Sequence, residues 1–144
     1  MVRSRAPALY SPELLGMAIE LADVPFDANA AATGHARSRS CGSVIDVSSK
    51  SGERLDGMGL KVAACAVGQA SAAIFAHEAS GMDEGDVSKV LASLTEWLEG
   101  SRDSAFLARL ERLEPARAHA GRHEAILLPW RAALDALSKG TRAR

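Results

Sequence analysis

The residues best suited to chemistry in this sequence are its two cysteines, Cys41 and Cys65. Cys41 lies just ahead of a strand expected over 44–49, and Cys65 leaves the following strand into a helix rich in Ala, Gly and Ser. At a helix N-terminus, unpaired backbone N–H groups and the helix dipole favour thiolate over thiol, which is the expectation for Cys65. If the strand before Cys41 is extended, alternation places Arg37 and Arg39 on the face of Cys41, where cations also lower a thiol pKa. Thiolate is the form that ligates metal or attacks sulfur. The competing reading is that both side chains are small buried hydrophobes. His119 and His123 with Glu124 form a second candidate, since a helix would put both imidazoles on one face. Gly121 and Pro115 favour a loop there. Asp83, Glu84 and Asp86 open a helix, where acids are expected without any catalytic role.

These side chains need elements to hold them. Ser11, Pro12 and a stripe of Leu14, Leu15, Ala18 and Leu21 predict a helix over 10–22, which Pro25 ends. Residues 29–40 read as a partly exposed strand, 44–49 as a short strand, Lys50-Ser51-Gly52-Glu53 as a hairpin turn and 54–64 as the return strand. In the return strand Met58, Leu60 and Val62 share one face, and the glycines on the other leave room for a close backbone. Four helical segments follow: about 67–79, ended by Gly81; a stripe of Val87, Val90, Leu91, Leu94 and Leu98 capped by Asp86; 102–113, with Phe106, Leu107, Leu110 and Leu113 inward; and a last helix carrying Ile126, Leu127, Trp130, Leu134 and Leu137. Pro129 predicts that this last helix either starts near Leu128 or kinks. The class is α+β: a three-stranded antiparallel sheet preceded by one helix and followed by about four. Residues 1–144 make one domain, with frayed ends at 1–7 and 139–144.

Composition narrows the function. A chain of 144 residues with a net charge of −1 lacks the basic surplus a nucleic-acid surface needs. The first ten residues lack the apolar run of a signal peptide and no later run reaches the ~18 residues that span a bilayer, so the expectation is a soluble, cytoplasmic protein with no membrane partner. In that compartment the cysteines are reduced thiols rather than a disulfide. The nucleophile-elbow, zincin, phosphate-loop and dinucleotide signatures are all missing, so an enzyme is not expected.

Three blocks together, Ser40-Cys41-Gly42-Ser43-Val44-Ile45-Asp46-Val47, then 59–74 around Cys65, then 121–134 from Gly121-Arg122-His123-Glu124-Ala125 to Leu134, resemble the U-type iron–sulfur cluster assembly scaffolds, the IscU, SufU and NifU N-terminal proteins. The resemblance spans about 8–138 and implies the SufE/NifU-like fold. It also implies a scaffold that builds an iron–sulfur cluster, or binds zinc, on three cysteines and often an aspartate. Sulfur comes from a cysteine desulfurase, and the cluster is handed to recipient iron–sulfur proteins.

Cys41 matches the first family cysteine and Cys65 the second. The aspartate that usually follows the first Cys-Gly is Ser43 here, and the third cysteine falls at Ala125. The residue before that cysteine, histidine in the IscU branch, falls at Glu124, with His123 before it. The resemblance therefore implies a divergent member that holds iron, a cluster or zinc through Cys41 and Cys65, with Glu124 or His123 completing the set and Asp46 a weaker candidate. Water or a second subunit would supply the rest. Two further readings stay open: a thiol that accepts and relays persulfide sulfur without a stable cluster, and a cluster-free docking module.

Overall fold

The computed structural model describes residues 24–103 and 107–142, with side chains described as far as 139. The helix expected over 10–22 and the inward Phe106 lie outside the described residues. Alternation in Val44-Ile45-Asp46-Val47-Ser48-Ser49 gives the central strand β2 (Val44–Ser49), between β1 (Ala32–Arg37) and β3 (Gly59–Ala63) in one antiparallel sheet. The register sets Gly34 opposite Val47, His35 opposite Asp46, Val47 opposite Leu60 and Val44 opposite Ala63. Ala32, Gly34, Ile45, Val47 and Leu60 thus point to one buried face, while His35, Arg37, Asp46 and Lys61 share the other, polar one.

The connection from β2 to β3 differs from the tight hairpin expected at Lys50–Glu53. The chain takes residues 50–58 to return, because Leu55 turns inward and is fully buried, its backbone held by Met82 (2.9 Å) and Gly81 (2.7 Å). The buried Ser49 hydroxyl organises this loop, lying 2.8 Å from the Ser51 carbonyl and accepting the Asp56 N–H at 3.0 Å. The return strand consequently begins at Gly59 rather than 54. Gly59 is where a backbone does come close: the Pro25 carbonyl occupies the space a Cβ would fill.

Three α-helices follow: α1 (Ala66–Glu78), α2 (Glu84–Leu98) and α3 (His123–Arg142). Asp83, not Asp86, is the N-cap of α2; Asp86 sits at the third helical position and completes a capping box with it. The helix expected over 102–113 is instead a 3-10 stretch over Ala108–Ala118, followed by a short 3-10 turn at Ala120–Arg122. Leu110, Leu113 and Ala116 are its buried residues, and a spacing of three suits the three-residue turn of a 3-10 helix.

Helix α3 continues through Pro129 rather than starting near it. The proline deprives the Ala125 carbonyl of its helical donor, and the neighbouring Ile126 carbonyl accepts the Ser71 hydroxyl of α1 at 2.7 Å, so α1 supports the backbone at the interruption. α3 lies across β1 and β2, where the Ala132 carbonyl and Ala136 come so close to Gly34 that no Cβ would fit. Phe75 of α1 meets Trp130 of α3 edge to face, ring centroids 5.0 Å apart. No helix among the described residues is long and apolar enough to cross a membrane.

Candidate functional site

Strand β1 stops at Arg37, and Ser38–Ser43 form a closed loop into β2. The Ser38 N–H donates to the Ser43 carbonyl (2.8 Å) and the Gly42 N–H to the Ser38 carbonyl (3.2 Å). Gly42 has φ +73°, a left-handed conformation that glycine adopts without strain. Cys41 stands exposed on this loop as a free thiol. Its Sγ lies 3.0 Å from the Ser43 hydroxyl and 3.3 Å from that of Ser38, whose oxygen also accepts the Cys41 N–H at 3.2 Å. Partial burial pushes the thiol pKa up. Hydrogen bonding within the turn from Ser38 to Ser43 and the charge of Arg122 outweigh it, and the net shift is downward. The expected direction is right for a different reason: a turn, not a strand, carries Cys41, so Arg37 and Arg39 are not the groups that lower it.

Cys65 is the N-cap residue of α1, in extended backbone with φ −66° and ψ 171°. Its carbonyl accepts the Gln69 N–H at 2.9 Å, its thiol is free, and its side chain is half-buried against the core. Register brings the two cysteines to one end of the sheet. Val44 pairs with Ala63, so Cys41 precedes β2 and Cys65 follows β3 at the same edge.

The first turn of α3 closes that end. Glu124 Oε1 accepts the Arg39 N–H (2.9 Å), the Ser38 hydroxyl (3.0 Å) and the Ser40 N–H (3.1 Å), and Oε2 lies 3.6 Å from Arg131. The Ser40 N–H and the Ser38 hydroxyl, opposed by desolvation and helped by the Arg39 N–H, hold the carboxyl at about 2. Ala125 is 1% exposed, and a Cβ on Gly68 in the first turn of α1 would meet its methyl at 3.4 Å. Positions 41, 65 and 125 therefore gather at one end of the molecule, as the three sequence blocks imply.

The expected donor set does not gather as one. Glu124 comes to the Cys41 loop, but its carboxylate is occupied by that loop's own donors. His123 turns the other way, Nε2 lying 2.7 Å from the Arg117 carbonyl. Asp46 pairs with His35 across the strands at 2.8 Å, on the polar face of the sheet. His119 ends the 3-10 stretch with its Nε2 buried and without a hydrogen-bond partner among the described residues. Among the described residues no three His, Cys, Asp or Glu side chains form a group that could hold a metal ion. Among the described residues the candidate set leaves two free thiols, short of the four donors that zinc or a cluster iron takes. A cavity of about 370 Å³ between the end of α2 and the 3-10 stretch, lined by Leu98, Glu99, Glu114 and Arg117 among others, includes none of these residues.

Sequence reasoning missed Ser38, Ser43 and Arg122 as the thiol's neighbours. The recurrence of serine around Cys41, at 38, 40 and 43, was the available signal.

The chain is similar in structure to the N-terminal part of a nitrogen-fixing NifU-like protein from Brucella abortus, with a TM-score of 0.80 and 24% identity over 94% of this chain and 96% of that one. It is also similar to a putative iron–sulfur cluster assembly scaffold protein for the SUF system from Fervidobacterium islandicum AW-1, with a TM-score of 0.77 and 17% identity over 90% and 96%. At these identities the likeness is one of fold. No family model matches the sequence, and no curated protein does.

Proposed function

We propose that the protein is a carrier in iron–sulfur cluster assembly, not an enzyme, taking iron or a nascent cluster as cargo at the sheet end where Cys41 and Cys65 emerge. The observation that carries this reading is the β2–β3 register, which sets the two free thiols at one edge, beside the buried Ala125. The two thiolates fill two of four coordination positions. With Glu124 held by the loop and His123 by the Arg117 carbonyl, the other positions fall to donors outside this set: water, a second subunit, or the thiols of the recipient iron–sulfur protein. A site with two sulfurs holds its cargo more labilely than one with three, which suits transfer. Zinc would bind by the same donors. Iron and sulfide analysis after anaerobic reconstitution and desalting tests this reading: the chain retains both, and a Cys41→Ala, Cys65→Ala double variant retains neither. Cargo kept by the double variant contradicts it.

A second reading, sulfur relay, is favoured by the hydroxyl cradle of Cys41. In that role the Cys41 thiolate attacks the outer sulfur of a cysteine desulfurase persulfide. The S–S bond of the desulfurase breaks, its cysteine leaves as thiolate, and Cys41 carries the persulfide. Incubation with desulfurase and free cysteine, followed by intact-mass analysis, is then expected to add one sulfur at Cys41 and none in Cys41→Ser. An unchanged mass excludes it.

A further inference from the structure

Glu124 Oε1 is engaged by three donors of the loop that carries Cys41, a loop 84 to 86 residues away in sequence. The hydroxyl of Ser38 has one proton, and Glu124 takes it. The Ser38 oxygen is then left as an acceptor, and it faces the Cys41 N–H at 3.2 Å and the Cys41 thiol at 3.3 Å. Ser38 is 1% exposed and its oxygen also lies 3.2 Å from the Ser40 hydroxyl, so its orientation is fixed from several sides. One carboxylate at the start of α3 thus ties down the backbone at Arg39 and Ser40 and, through one buried hydroxyl, the thiol itself.

We propose that Glu124 is the positioning residue of Cys41, a latch from the first turn of α3 that holds the 38–43 loop, and so the thiol, in one place. The proposal rests on Cys41 being an acting thiol, but it needs no cargo, and neither does its test.

The test compares wild type with Glu124→Ala, Glu124→Gln, Ser38→Ala and Arg131→Ala in two measurements. One is amide hydrogen exchange at residues 39–41; the other is the alkylation rate of Cys41 relative to Cys65 in the same molecule at one pH. Without the latch, the amides of Arg39 and Ser40 exchange faster by on the order of tenfold, as expected for loss of a local hydrogen-bonded closure. The Cys41 to Cys65 ratio rises severalfold. Glu124→Gln, which keeps an acceptor oxygen in place, restores most of both. Ser38→Ala leaves the two amides protected and still changes the ratio, while Arg131→Ala changes neither. Unaltered exchange at 39–40 in Glu124→Ala overturns the latch. So does a change of both thiols in step, which would mark general destabilisation, and an unchanged ratio in Ser38→Ala overturns the link through the hydroxyl.

Discussion

The thiol of Cys41 is biased toward thiolate by groups of its own turn and by Arg122 rather than by strand cations. Partial burial pushes its pKa up, and the Ser43 hydroxyl, buried 3.0 Å from the sulfur, acts against it together with the Ser43 backbone and the charge of Arg122. The rate of iodoacetamide alkylation against pH is therefore expected to show a midpoint for Cys41 below that of a free cysteine peptide. Ser43→Ala moves the midpoint up; a variant that titrates like wild type would remove the cradle from the account. Glu124 gives a second titration. Its folded carboxyl sits at about 2 against an ordinary 4.5, so the unfolded chain binds its proton first as the pH falls. The contribution to stability is full above 4.5 and is lost as the pH drops through about 2. Glu124→Gln is expected to unfold more readily in denaturant at pH 7 and to lose less than wild type on acidification through that window. Parallel curves would contradict this.

Among the elements, those with unbroken periodicity were legible in the sequence: β2 matches its expected 44–49, and α1 and α2 fall within a few residues of theirs. The misreadings have specific causes. Leu55 looked like part of a strand because its burial depends on Gly81 and Met82, contacts no local pattern encodes. Of the two readings of Pro129, a helix start near Leu128 or a kink, the start is the one that fails, and the hydrogen bond beside the interruption comes from Ser71, on another helix. Gly34 is a further contact of that kind, and it yields a prediction. The β1–α3 packing leaves no space for a Cβ against the Ala132 carbonyl, so Gly34→Ala should cost about 2 kcal/mol or more, read as a lowered denaturation midpoint. A cost near zero would mean that α3 rides more loosely on the sheet than described. Where α1 and α3 meet, Ala125→Cys would put a third thiol at the gathering point. That change is expected to cost about 1 kcal/mol from crowding at a 1%-exposed position. It should also slow the loss of reconstituted iron to a chelator. Iron lost at the wild-type rate would place position 125 out of reach of the cargo.

For the molecule as a whole, the site is an assembly of element ends: the close of β1, the start of β2, the end of β3 and the first turns of α1 and α3. Residues were readable one by one, so Cys41, Cys65, Ala125 and Glu124 could be singled out. Their surroundings depend on long-range contacts, and it is such contacts that set the Glu124 carboxylate against the donors of the 38–40 loop. The central claim is that Cys41 and Cys65 act on one cargo. Its most direct measurement is the visible absorption spectrum after anaerobic reconstitution with iron and sulfide, taken for wild type, Cys41→Ala and Cys65→Ala side by side. Sulfur-to-iron charge-transfer bands in wild type that disappear in each single variant are the predicted result. Bands that survive intact in either variant, or a wild-type protein that stays colourless, would contradict it.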